Sequence, residues 1–552
     1  IKAGQAVQVS ALSSNLNAGD WDTAHVEWDF GNPNGQYNVV PGYNAAHLYE
    51  QPGTYTIRLK VYNEQRGLGE TTVNVNVSAD NRQAFYVSQY GSDSNSGTSS
   101  SQPLRTLQKA FERVNSSGDS KKILLKRGET FDVGATLQLQ RNDVIIDDYG
   151  SGNSKPSVRW TRGRFDTKAV FYQAPHVEGF VVRDLELRTD HNDTDSRGMP
   201  HGVQPSGKNT TVFNNTFRNM GDAVSGNAVP DGVLVLNNVA PDDNDIRRYF
   251  VWGEGENWTI LGNEVTNSSR EHIIRLGNAK RVNIGDNDLE NKDRRPNGDP
   301  HDYAKGVIVI QKGSHAYVHG NTIKGPWGVG PLGDGDGLSD KSARFKYAIF
   351  EGNESRDGHY QIEHGSQHVS IRSNVLHQTE PLAFKLEGYD YSYGRGVRDV
   401  RIVNNTIINQ ETTGRMFLAD AGQQEIVLSN NLYVAPNLYT GPYLTSILWI
   451  AASDLSGFSE INNNVWADAS ADPWADGIVY VGTGTSPDGF RDENEWLNYG
   501  RVRNDVFSDV NVDSSYRPTN ASLVNVGKRE EGVFRDFYGN WRPNADGRAV
   551  GA

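Results

Sequence analysis

Two stretches of this 552-residue chain set titratable and amide side chains at alternate positions. In "HYQIEH" they are His359, Gln361 and Glu363, with His364 following. In "LAFKLEG" they are Lys385 and Glu387. Arg275 of "HIIRLG" and Gln311 of "GVIVIQ" fall in two further short apolar segments. Alternation is the period of a β-strand, so Ile274, Leu276, Ile308, Ile310, Tyr360, Ile362, Phe384 and Leu386 are expected inside and the polar set along one outer groove. Two reactions use such groups. β-Elimination from a uronic acid polymer needs a base for the C5 proton, a clamp on the neighbouring carboxylate and an acid for the leaving oxygen. His364, with an ordinary pKa of about 6.5, is the expected base. Lys385 and Arg275 neutralise charge beside Glu363, while Gln311, Gln361 and His359 hydrogen-bond the substrate. Alternatively, Glu363 and Glu387 on adjacent strands about 4.8 Å apart approach the roughly 5 to 5.5 Å of a retaining glycoside hydrolase. Lysine, arginine and histidine gathered in a chain of net charge -14 favour elimination of an acidic polysaccharide. Scattered polarity without a base–cation cluster points instead to a non-catalytic polysaccharide-binding protein.

A repeated phrase supplies the scaffold. A hydrophobic residue, two spacers, an asparagine, a spacer and a second hydrophobic residue recur at Asn215, Asn263, Asn287, Asn321, Asn353, Asn374, Asn405, Asn431 and Asn464. The residues three before run from Val212 to Ile461. Those two after run from Phe217 to Trp466, broken only by Ser355. Steps range from 21 residues (Asn353 to Asn374) to 48 (Asn215 to Asn263), which excludes a heptad and suits a solenoid with loops of varying length. Asparagine tolerates left-handed backbone, and its amide bonds its counterpart one coil away. The expected fold is all-β: a right-handed parallel β-helix of about ten coils with one inward asparagine line.

Composition agrees. Fifty-eight glycines and a mean hydropathy of -0.63 suit a turn-rich β chain. No stretch approaches the roughly 18 to 20 apolar residues of a membrane span. Zero cysteines exclude disulfides and thiolate sites. The acidic balance argues against a nucleic-acid partner. It also requires local positive charge wherever an anionic polysaccharide binds. The chain opens on Ile1 rather than Met, as expected of a processed or trimmed chain, and the lack of cysteine is compatible with the expected secretion.

Residues 1–80 alternate in "QAVQVSAL", "AHVEWDF", "GTYTIRLKVY" and "TTVNVNV", a run of short strands. Trp28, Asp29, Phe30, Gly31, Tyr49, Pro52, Gly53, Thr54 and Tyr55 give this segment a close resemblance to the PKD domain, which implies an immunoglobulin-like β-sandwich. With no convergent titratable cluster there, turnover is expected to lie in residues 81–552. "FYVSQYGSDSNSGTSSSQPLRTLQKAFERV" resembles the opening of secreted β-helix enzymes acting on polysaccharides, in which a short helix caps the first coil. Leu104, Leu107, Ala110, Phe111 and Val114 have the helical spacing for such a cap.

Three further resemblances bear on chemistry. "IEHGSQHVSIRSN" followed by "AFKLEG" is similar to the catalytic coils of the chondroitinase B and alginate lyase group. That likeness implies His364 where the group has a lysine base and Lys385 where it has an arginine; Asp357 and His359 partly match its calcium ligands. "DPHD" (Asp299 to Asp302) resembles a motif of mannuronan C5-epimerases and implies that His301 overhangs the groove from a charged loop. "GDGDGLSD" sets Asp334, Asp336 and Asp340 among glycines, a spacing similar to calcium loops but without their distal glutamate. Calcium is the expected ion there, and an acidic surface turn the alternative.

Overall fold

The computed structural model describes the chain except residues 15–20, 64–66, 163–167, 191–198, 227, 243–245, 269–270, 292–305, 326–328, 333–344, 364, 379–381, 387–395, 410–414, 436–446, 469–478, 484–489, 492, 509, 511, 515–517, 520–522, 524–525, 531, 539, 541 and 543–552. It is a parallel β-helix with a small antiparallel β-module at its N-terminal end. Two compact units divide it: residues 1–14, 26–61 and 69–305, and residues 15–25, 62–68 and 306–552. No helix among the described residues is long and apolar enough to cross a membrane.

In the first unit Gln5–Ser10 pairs antiparallel with Asn44–Tyr49. This edge rests on the coils. The Asn44 amide donates to the Trp258 carbonyl at 3.1 Å, and Asn283 donates to the carbonyls of Pro41 and Asn44, each at 2.7 Å. Lys2, Gln5 and Arg82 all converge on the Asp143 carboxylate. The helix Leu107–Ser117 starts where the Thr106 hydroxyl accepts from the Lys109 amide, and it buries Leu107, Ala110, Phe111 and Val114, the face its spacing predicts.

Each coil runs through three parallel strands. One coil of the second unit comprises Tyr360–Ile362, Gln367–Arg372 and Val375–Gln378; the next comprises Leu382–Leu386, Arg398–Val403 and Thr406–Asn409. Their register sets Tyr360 on Phe384 and Ile362 on Leu386, and all four side chains are buried as their alternation predicts. The asparagine line stands between the second and third strands. In the first unit it runs Asn215, Asn238, Asn263, Asn287. In the second it runs Asn321, Asn353, Asn374, Asn405, Asn431, Asn464 and ends on Asp505. Asn238 is a rung absent from the sequence reading, so the 48-residue step conceals two coils. Every ladder asparagine is at most 2% exposed. Its Nδ2 donates to the next rung's Oδ1 and to a strand carbonyl of the preceding coil, as from Asn374 to Asn405 (3.0 Å) and to Phe350 (2.9 Å).

One expectation is corrected here. The left-handed residue is not the ladder asparagine but its predecessor. Asp184, Asn214, Asn237, Gly262, Asp286, Gly320, Gly352, Ser373, Asn404, Asn430, Asn463 and Asn504 have φ between 51° and 65°. The two jobs fall on neighbouring residues: one bends the chain, and the next closes the hydrogen bonds of the bend.

Candidate functional site

The first strand of each coil carries the outward column from which the site is built. In the second unit the column runs Gln361, Lys385, Leu418, Trp449, Tyr480. Trp449 and Tyr480 stack at 4.0 Å, so the column passes from polar to aromatic. Along one strand the His359 Nε2 lies 3.4 Å from Gln361 Oε1, and Gln361 Nε2 donates to Glu363 Oε1 at 2.7 Å. His359 and Gln361, expected in an open groove, are each only 8% exposed. Glu363, Lys385 and Gln311 are half-buried. His364, His301, Glu387, Asp334, Asp336 and Asp340 lie outside the described residues. The structure thus joins His359, Gln361, Glu363 and Lys385 on two adjacent strands. Arg275 belongs to the first unit, with different partners.

Those partners form a compact set of charged and aromatic groups. Four successive strands (His201–Gln204, Met220–Gly226, Ile246–Leu261 and Ile274–Gly285) set Val203, Val224, Val251 and Ile274 in one inner file. Ser225, Trp252 and Arg275 follow in an outer file. A bulge lies just before them, because the amides of Phe250 and Val251 both donate to the Ile273 carbonyl. On its far side Asp222 lies in register with Tyr249. The rings of Tyr249 and His272 stack at 6.5 Å, and those of Tyr249 and Trp252 at 6.4 Å. Arg275 donates to the Tyr249 hydroxyl at 3.1 Å, and the Arg248 guanidinium lies 5.4 Å from the centre of the same ring.

Asp222 has no exposed surface. His201 Nδ1 stands 2.9 Å from its Oδ2, and Arg248 Nε 4.0 Å from its Oδ1. Burial works against ionisation, but the charges of His201 and Arg248 prevail and hold this carboxyl below the usual carboxylate range. The His201 contact is close but poorly directed. His201 and Ser225 are the side chains that approach the Asp222 oxygens as donors, and neither contact is well aligned. Burial, followed by the negative charge of Glu271, pushes the Tyr249 phenol upward, while Arg275 opposes the shift.

His201, Asp222, Arg248, Tyr249, Glu271 and His272 are absent from the sequence reading. "HIIRLG" is recognised there as a strand, but the bulge breaks the two-residue period that assigns faces. Asn238, read as a rung, would have directed attention to the coils that carry His201 and Asp222.

Residues 1–78 match the PKD domain family. No curated protein matches the chain. Among solved structures, the chain is similar to a family 28 exopolygalacturonase of Yersinia enterocolitica at 12% identity, covering 92% of this chain and 93% of that one with a TM-score of 0.41. It is similar to a GH136 lacto-N-biosidase of Eubacterium ramulus at 15% identity, covering 62% and 67% with a TM-score of 0.39. A third is the tailspike of E. coli bacteriophage HK620 with bound pentasaccharide, at 14% identity, covering 76% and 74% with a TM-score of 0.41.

Proposed function

We propose that this chain is an extracellular polysaccharide-cleaving enzyme that works by hydrolysis, with its reacting centre at Asp222 and Glu271. The observation that carries this reading is Asp222: a carboxylate with no exposed surface, held below the usual carboxylate range by His201 and Arg248 and met by His201 and Ser225 through poorly directed contacts. Such a carboxylate is suited to taking a proton from a water molecule. In hydrolysis with inversion the base touches only that water, so burial is no obstacle to the role. Glu271 lies next to His272, whose ring stacks on Tyr249, and Asp222 is in register with Tyr249 on the opposite side. Glu271 precedes the strand Ile274–Gly285, two coil steps from the Asp222 strand, and two such steps span about 9.5 Å, which suits the wider carboxyl spacing of an inverting glycosidase. The water oxygen bonds to the anomeric carbon and its proton passes to Asp222. The glycosidic C–O bond breaks, and Glu271 protonates the leaving oxygen. The rings of Tyr249 and Trp252 support sugar faces, and Arg248 and Arg275 favour anionic or densely hydroxylated residues. The PKD-like segment, residues 1–80, is an accessory module in this reading.

Kinetics of Asp222→Asn and Glu271→Gln test the assignment. Each is expected to lower kcat by about 10²- to 10⁴-fold, with KM little changed. Full activity in Asp222→Asn refutes it. A second reading, elimination from a uronic acid polymer, is favoured by the cationic donor on a phenol, Arg275 on Tyr249. Under it Tyr249→Phe is the most damaging change, and the products absorb in the ultraviolet because they carry a new double bond.

A further inference from the structure

We infer that Asp22, His368 and Asp399, all within the second unit, form a binding site for a divalent transition-metal ion, with zinc the best fit. One donor atom from each side chain lies within 4.8 Å of the others. His368 Nδ1 stands 2.6 Å from Asp399 Oδ2. Asp22 is only 2% exposed. Its carboxylate takes a hydrogen bond from its own backbone amide, and no other side chain donates to it among the described residues. Two carboxylates, one of them buried, repel at this separation, and the charges of Arg401 and His368 act against that repulsion.

The backbone holds all three donors in place. His368 and Asp399 have φ of 59° and 53° and occupy matching positions at the starts of paired strands on successive coils. The His368 ring stacks on Tyr347 at 4.7 Å and 6°, and Tyr347 on His315 at 4.8 Å, which fixes the imidazole plane. Asp22 is anchored through its carbonyl, which accepts from the buried Arg372 at 3.2 Å. One imidazole nitrogen with two carboxylate oxygens suits zinc, with water completing the tetrahedron. Calcium and magnesium take sets built of oxygen alone. A bound ion here ties residue 22 to the coil strands at 368 and 399, a structural staple built from residues other than those of the proposed reacting centre.

The test is zinc titration of the full chain, freed of metal by chelator, using calorimetry and thermal unfolding. His368→Asn and Asp399→Asn are the informative variants, because asparagine adopts the left-handed backbone both positions require. The wild type is expected to bind one zinc ion per chain and to unfold at a higher temperature with zinc present. Each variant should fold, as checked by circular dichroism, yet weaken binding by at least the roughly 10- to 100-fold that loss of an outer-shell partner alone costs. Exposed His176→Asn should bind zinc like the wild type. Absence of stoichiometric binding, or unchanged affinity in both variants, overturns the site. The contact between His368 and Asp399 is then a plain ion pair.

Discussion

At the scale of single residues, the asparagine line is a chain of obligatory hydrogen bonds, and its end shows the logic most clearly. Asp505 takes the place of an asparagine. Its Oδ1 accepts from the Asn464 backbone and side-chain amides, and its Oδ2 from the indoles of Trp466 and Trp496. Four donors converge on a group that must only accept. Asp505→Asn would turn an N–H toward two indole N–H groups, and a cost of about 1 to 3 kcal/mol in urea unfolding is expected despite the near-identical shape. In the middle of the line, Asn374→Leu is sterically reasonable, since Leu185 fills the equivalent place below Asn215. It removes the side-chain donor to the Phe350 and Arg372 carbonyls and the acceptor of the Asn353 backbone and side-chain amides. We expect a loss of about 3 kcal/mol or more by the same measurement. The pattern of hydrophobic residue and asparagine exposes this line in the sequence. It hides the division of labour in each bend, because asparagine serves both jobs at Asn214–Asn215 and Asn404–Asn405.

At the scale of elements, inner faces were legible wherever a strand keeps its period of two, as at Tyr360–Ile362 and Leu382–Leu386. The candidate site was not legible, because it straddles a bulge. Phe250 and Val251 are consecutive and both buried, so the faces of Tyr249 and Trp252 do not follow from counting. The same doubling recurs where the Met416 and Phe417 amides share the Ile447 carbonyl. Long-range partners were hidden for a different reason: nothing local links Asp143 to Lys2, Gln5 and Arg82. Burial of Asp143 disfavours its charge, but the bonds from Arg82, Ser120 and Lys2 outweigh that and hold its pKa below the ordinary value. A depressed carboxylate contributes stability above its unfolded pKa of about 3.9 and loses it as pH falls through the folded value. Acid titration followed by hydrogen exchange should therefore release Gln5–Ser10 before the coil strands. Asp143→Asn, which leaves the buried Arg82 with Asp80 as its remaining carboxylate, should lose about 1 to 3 kcal/mol at neutral pH and flatten that acid transition.

At the scale of the whole molecule, the N-terminal segment is built into the coils more firmly than its reading as a separable module implies. Asn44 and Asn283 bond across it in one unit, and buried Arg372 donates to the Asp22 and Ala24 carbonyls in the other. Deleting residues 1–80 strands the Asn283 and Arg372 donors, so a lower melting temperature is expected even if turnover survives at low temperature. The central claim, however, concerns what the coils do to a polysaccharide. Proton magnetic resonance of the first products, recorded before the anomers equilibrate, tests it most directly. Hydrolysis at Asp222 and Glu271 predicts a saturated product whose new reducing end has inverted configuration, formed by the wild type and lost in Asp222→Asn. A vinyl proton from an unsaturated sugar, or a product formed undiminished by Asp222→Asn, contradicts it.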